Sequence, residues 1–191
     1  MNICLYGASS TELAQTYYDA AYSLGAVLAQ HGHTLIYGGG AQGVMGAAAR
    51  GVRDNGGKII GIAPSFFHVN GILFEECTEF IYTETMQERK KLMMEKSDAF
   101  IMAPGGIGTY EEFFEILTLK QLGRINPGIA VLNVNGYYDP MQRFMEHTVQ
   151  EGFAKPACLE IYKVFTEPGN LVAYLENFDP DAFDVRHLKN L

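Results

Sequence analysis

Residues 99–120, AFIMAPGGIGTYEEFFEILTLK, limit what this chain can become more than any other stretch. Residues 99–103 are an unbroken apolar run, the pattern of a strand buried on both faces. Pro104 stops the run, and Gly105, Gly106 and Gly108 permit a tight turn whose backbone can approach a ligand closely. Thr109 and Glu112 have the T-x-x-E spacing of a capping box, which predicts a helix opening there. Phe113, Phe114, Ile116, Leu117 and Leu119 give that helix a broad apolar face. Strand, glycine loop and helix start together aim free N–H groups and the positive end of a helix dipole at one spot, an arrangement suited to phosphate. Glu111 and Glu112 bring carboxylates to the same place. A capping role and a chemical role are both open here, since one glutamate can cap while its neighbour reacts.

The same grammar runs through the chain. Strands are expected at residues 3–6, 34–37, 59–63, 80–82, 129–134 and 164–165. A helix is expected from about 11 to 31, opened by a Ser9/Glu12 capping box and ended by Gly32. Further helices are expected at 44–55, from a Thr85/Glu88 capping box to 96, from Asp139 as N-cap with Pro140 at N1 to 151, and at 171–178. Alternating strands and helices predict an α/β fold: a doubly wound parallel sheet with helices on both faces. Ligands of such sheets bind at the carboxyl ends of strands, so the glycine loops at 7–10, 38–43 and 104–108 should share one edge. Residues 64–78 lack periodicity and read as a functional lid. Residues 1–180 read as a single domain, and 181–191 as a loosely held tail.

Composition narrows the function. At 191 residues the chain needs no staples to build a core. A formal net charge of −8 argues against nucleic-acid or membrane-surface binding, which call for basic patches, while leaving room for a small anion in a local positive pocket. Cys4, Cys77 and Cys158 are odd in number and lack metal-ligand spacing; they read as reduced thiols of a cytoplasmic protein, with Cys4 in a buried strand. The opening residues have no signal-peptide pattern, and no apolar run is long enough to span a membrane.

Other motifs are weaker. Gly38 to Gly43 satisfies G-x-G-x-x-G, yet no acidic residue follows at the end of the next strand, so a phosphate or backbone contact is a better reading than a dinucleotide site. Arg89 and Lys90 begin a helix; from spacing alone Arg89 either lies on a solvated face or reaches an anion, while Lys91 and Lys96 suit a solvated face. The five histidines form no H-x-x-x-H or similar pair, so no metal site is expected. A pyridoxal enzyme needs a buried lysine, and nothing singles one out: Lys90 and Lys120 both lie in charged or amphipathic helices.

Pro104-Gly105-Gly106-Ile107-Gly108-Thr109-Tyr110-Glu111-Glu112 resembles the PGGxGTxxE motif of the LONELY GUY (LOG) family, and Met86-Gln87-Glu88-Arg89-Lys90 resembles that family's M-x-x-R-K. Tyr37-Gly38-Gly39-Gly40, Gly43-Val44-Met45-Gly46 and Leu132-Asn133-Val134-Asn135-Gly136-Tyr137-Tyr138-Asp139 are similar to family segments in the same order. The resemblance covers roughly residues 3–178. It implies a Rossmann-like fold and hydrolysis of the N-glycosidic bond of cytokinin riboside 5′-monophosphates or AMP, releasing base and ribose 5-phosphate. It further implies no cofactor, and a homodimer with sites near the subunit interface. Arg89 and Glu112 fall on catalytic positions. Lys90, Gly105, Gly106, Ile107, Gly108, Thr109, Tyr110, Glu111 and Thr118 fall on substrate-binding positions, joined by Gly39, Gly40 and Met86 from the matching segments. A further acidic substrate contact falls on Glu75 or Glu76, which the sequence does not separate. The label "lysine decarboxylase", common in the family, finds no pyridoxal lysine to support it. The fold and glycine loop also resemble molybdenum-cofactor carrier proteins, which hold a phosphorylated pterin without hydrolysing it; the Arg89 motif favours the hydrolase.

Overall fold

In chain order the elements are β1 (Asn2–Tyr6), α1 (Gln15–Gln30), β2 (Thr34–Tyr37), α2 (Gly43–Asp54), β3 (Lys58–Pro64), β4 (Glu79–Thr83), α3 (Met86–Glu95), β5 (Ala99–Met102), α4 (Ile107–Gln121), β6 (Gly128–Leu132), α5 (Asp139–Gln150), β7 (Lys163–Phe165) and α6 (Pro168–Glu176). They come from a computed structural model that describes residues 1–68 and 71–182. Asn70 of the expected lid, and the tail from residue 183 on, lie outside the described residues. The seven strands form one sheet in the order β4-β3-β2-β1-β5-β6-β7, and every pairing is parallel. The expected doubly wound α/β fold is therefore what the chain adopts.

Strand alternation divides the core. In β1, Ile3 and Leu5 join Leu24 and Leu28 of α1, Ala48 and Val52 of α2 and Leu171 of α6 on one face. Cys4 and Tyr6 join Met93 of α3 and Phe113, Ile116 and Leu117 of α4 on the other. Buried apolar runs in β1, β5 and β6 follow from helices covering both faces. The chain runs outward from β1 to β4 and then returns to β5 on the opposite side of β1, which opens a crevice between the carboxyl ends of β1 and β5. Ala8 N–H donates to Pro104 O across it at 3.0 Å. No helix among the described residues is long and apolar enough to cross a membrane.

Three expected caps differ. The α1 helix starts at Gln15 behind Ala14, with no side-chain cap, so Ser9 and Glu12 lie outside it. Residues 7–10 instead form a loop tied to its neighbours, Met45 N–H donating to Ala8 O at 3.2 Å. Gly106 occupies the N-cap position of α4, and Thr109 and Glu112 sit inside the helix rather than closing a capping box. Glu112 has a stronger partner in Arg89. Asp139 is the first residue of α5 rather than its cap; its carboxylate accepts Nδ2–H of Asn133 at 2.7 Å. The Thr85/Glu88 box forms as expected: Glu88 N–H donates to Thr85 Oγ1 at 3.1 Å, and Thr85 N–H to Glu88 Oε2 at 3.3 Å. The last strand before α5 ends at Leu132, because Val134–Gly136 coil into a short turn with Asn135 at φ 51°.

Candidate functional site

A cavity of about 650 Å³ opens at the carboxyl edge of the sheet. The three glycine loops meet there as their positions after β1, β2 and β5 require: Gly7 to Ser10, Gly38 with Gly40, and Gly106 with Gly108 all line it.

Arg89 and Glu112 form its floor. The capping box launches α3 so that Arg89, one turn in, lies beneath the cavity with 9% of its surface exposed. Its Nη1 stands 3.0 Å from Glu112 Oε1, and Glu112 is 8% exposed. Arg89 Nε donates to Ile62 O of β3 at 3.3 Å. Gly38 completes the seat: a Cβ there would lie 2.1 Å from Arg89 Nη2. The guanidinium is thus held by β3, α4 and the loop after β2, three elements that meet only in the folded chain. Burial pushes the Glu112 carboxyl above its ordinary value of 4.5, with the Arg89 guanidinium pulling the other way and the neighbouring Glu111 adding to the rise. A carboxylate held ionised by one cation beside an open cavity can face a developing positive charge or take a proton from water.

The glycine loop is pinned from behind. Tyr138 O–H donates to Ala103 O and Tyr137 O–H to Gly105 O, both at 2.7 Å. Tyr137 in turn meets the Tyr110 hydroxyl at 3.1 Å and the edge of Tyr17. Gly106, Gly108 and Thr109 of the α4 start line the cavity on the other side, and the first N–H groups of a helix have no partner within it.

The expected site residues are only partly gathered. Gly40, Met86, Gly106, Gly108 and Thr109 line the cavity with Arg89 and Glu112. Gly39 stands just behind, its carbonyl accepting Phe74 N–H at 2.9 Å. Gly105 lines a smaller adjoining cavity with Tyr137. Ile107 projects outward, 87% exposed, and Tyr110 packs edge-on against Tyr138. Lys90 turns away to pair with Glu111 and, at 3.1 Å, with Glu115. Thr118 is exposed farther along α4, its hydroxyl donating to Phe114 O at 2.7 Å. Of the two undecided acids, Glu76 pairs with Arg53, and Glu75 lines a separate cavity with His68 and Tyr82.

Several contributors had no clear signal in the sequence. Phe67, Ile72, Leu73 and Met45 make one apolar wall of the cavity. Residues 72–74 are stitched over the second glycine loop, Ala41 N–H donating to Ile72 O at 2.9 Å. The tyrosines behind the loop were visible only as an aromatic pair after the Asn135-Gly136 turn. Lys120, expected on an amphipathic helix, is fully buried: its ammonium donates to Pro127 O at 2.7 Å and lies 4.4 Å from the centre of the Phe178 ring. Burial pushes its pKa down to about 8. It sits at the end of α4 remote from the cavity.

Comparison with known proteins shows the family and the fold. Residues 45–175 match the family described as possible lysine decarboxylase. The chain is 37% identical over 182 residues to cytokinin riboside 5′-monophosphate phosphoribohydrolase LOG2 of Arabidopsis thaliana, covering 95% of this chain and 85% of that one. It is 37% identical over 179 residues to cytokinin riboside 5′-monophosphate phosphoribohydrolase LOG of Oryza sativa subsp. japonica, covering 94% and 74%. Among solved structures, the molybdenum cofactor binding protein of Rippkaea orientalis superposes with a TM-score of 0.70 at 22% identity, over 92% of this chain and 94% of that one. The Moco carrier protein of Chlamydomonas reinhardtii superposes with a TM-score of 0.69 at 22% identity, over the same shares. At such identity these two establish the likeness of fold.

Proposed function

The chain belongs to the LONELY GUY (LOG) family, and we propose that it hydrolyses the N-glycosidic bond of an adenine-type nucleoside 5′-monophosphate, releasing the base and ribose 5-phosphate. The observation that carries this reading is the buried Arg89–Glu112 pair on the floor of a cavity rimmed by three glycine loops.

The chemistry follows from those parts. The 5′-phosphate lies on the α4 start, at Gly106, Gly108 and Thr109, where helix dipole and unpaired N–H groups favour an anion. That anchor sets the ribose over Glu112. As the bond from C1′ to the base breaks, its electron pair leaves with the base and C1′ acquires oxocarbenium character. The Glu112 carboxylate stabilises that charge and accepts a proton from the water whose hydroxide adds to C1′; that proton then passes to the departing base, which is released neutral, and Glu112 returns to its carboxylate form. Arg89 fixes the carboxylate and keeps it ionised. The base occupies the apolar wall of Met45, Phe67, Ile72 and Leu73. Remote phosphate binding then contributes to rate as well as affinity.

A homodimer fits the surface. Met141 and Met145 of α5 pack against the core, while Phe144 on the same helix and Phe153 beyond it stand 62% and 86% exposed. The three free cysteines suit a cytoplasmic setting.

The decisive assay is chromatographic detection of free base and ribose 5-phosphate from AMP, isopentenyl-AMP and adenosine in parallel. Release from a monophosphate but not from adenosine is the expected result. Folded protein that releases no base from any of them would overturn the reading and leave a carrier role.

A further inference from the structure

At the amino edge of the sheet, opposite the cavity, the fold assembles a set of side chains that the sequence did not bring together. His31 closes α1, Gly32 adopts φ 72°, and His33 leads into β2. Gly32 N–H donates to Ala29 O and His33 N–H to Leu28 O, each at 2.9 Å. These two bonds are a Schellman turn, which fixes the backbone of both histidines. Their rings lie 6.2 Å apart, one half-exposed and the other buried. Glu176, the last residue of α6, reaches both: its Oε1 is 3.0 Å from His31 Nδ1 and 3.0 Å from His33 Nε2. The three ligand atoms all lie within 4.8 Å of one another. On its far side His33 Nδ1 stands 3.3 Å from the nitrogen of Met1, so that ring is held at both nitrogens.

We propose that His31 Nδ1, His33 Nε2 and the Glu176 carboxylate bind a divalent transition-metal ion of the zinc class, leaving a fourth position to water. Two imidazoles and one carboxylate form a borderline donor set that zinc accepts, whereas calcium and magnesium prefer oxygen alone. Bonds of about 2.1 Å around a tetrahedral ion place donors roughly 3.4 Å apart. The two contacts to Glu176 then open by a few tenths of an ångström and the two ring nitrogens draw together. Each imidazole offers its lone pair at the coordinating nitrogen by carrying its proton on the other one; for His33 that is Nδ1, so the Met1 nitrogen 3.3 Å away must accept this proton rather than donate to the ring. The Schellman turn supplies the preorganisation, because it settles where two of the three ligands stand before any ion arrives.

The ion joins the end of α1, the start of β2 and the end of α6, segments up to 145 residues apart in the chain. Binding to the folded state alone stabilises it by mass action. The opposite sheet edge carries the Arg89–Glu112 pair, so metal uptake and base release are separate readouts.

The test uses the full chain without an affinity tag, stripped with chelator and titrated with zinc(II) alone. Competition with a chromophoric chelator gives stoichiometry and affinity, and thermal melting gives stabilisation. One equivalent bound and a raised Tm are expected. His31→Ala and Glu176→Ala should each weaken binding by about tenfold or more. His147→Ala, on the exposed side of α5, serves as control and should change nothing. His31 is solvent-facing, so its truncation leaves the core intact. Failure to take up one equivalent, or uptake that both variants retain, overturns the proposal.

Discussion

Helix α4 buries a charged side chain near each end, and the two are built differently. Glu112 lies over an open cavity, faces an opposite charge held by three other elements, and stands beside free helix N–H groups. Lys120, two turns on, donates to a backbone carbonyl and lies against the face of Phe178, away from the residues that line the cavity. Burial shifts both groups toward neutrality, the carboxyl upward and the ammonium downward. Burial of a charge therefore does not mark a functional group here. A place on the cavity that a ligand can enter does.

The comparison can be broken most sharply at the cavity end. Glu112→Gln or Arg89→Ala should lower kcat/KM for base release by about 10²–10³-fold, the usual effect of removing a group that stabilises transition-state charge. Far-UV circular dichroism should stay unchanged. Full activity in either variant would reduce the pair to a structural contact.

Gly38→Ala tests whether the position of Arg89 matters as much as its presence. The new Cβ would stand 2.1 Å from Nη2 and push the guanidinium off Glu112. We expect a loss of roughly 10–100-fold, expressed mainly in kcat, because displacement by about an ångström costs that much. Tyr137→Phe frees the Gly105 carbonyl and should raise KM for the monophosphate about fivefold, equivalent to one hydrogen bond of ~1 kcal/mol, while leaving kcat nearly unchanged.

The titration of Glu112 gives a graded test. Because its pKa is raised above 4.5 and the ionised form is the active one, kcat/KM should fall with acid at a higher pH than an ordinary glutamate would give. A pH–rate profile locates that limb. At the other end of α4, Lys120→Met should leave base release within about twofold of the parent, since the group never meets substrate. The parent should gain stability as pH rises from about 8 toward ~10.4, where only the unfolded chain still holds the lysine proton. The Met variant should lack that gain, as denaturant melts across this range would show.

Much of the fold was legible because α/β architecture writes itself locally. Apolar runs marked β1, β2 and β5, and the glycine loops after them fixed the edge at which they would meet. The failures have one cause. Ser9/Glu12, Thr109/Glu112 and Asp139 all carry cap spacings, yet each has a better use: a cavity loop, a salt bridge to Arg89, a bond from Asn133. A local motif predicts a local bond only where no tertiary partner competes. Thr85/Glu88, exposed and without such a rival, forms its box as written.

By itself, then, the sequence determined the parallel doubly wound sheet and the shared edge of the glycine loops, because periodicity and motif spacing act over a few residues; it pointed to Arg89 and Glu112 through the family resemblance, since spacing alone left both roles open. Only the tertiary structure decided that Glu112 pairs with Arg89, that Gly38 makes room for the guanidinium, that two tyrosines hold the loop, that Lys120 is buried, and that His31 and His33 meet Glu176. Each of these depends on distances between segments far apart in the chain, which are set by how helices and strands pack and have no counterpart in residue order.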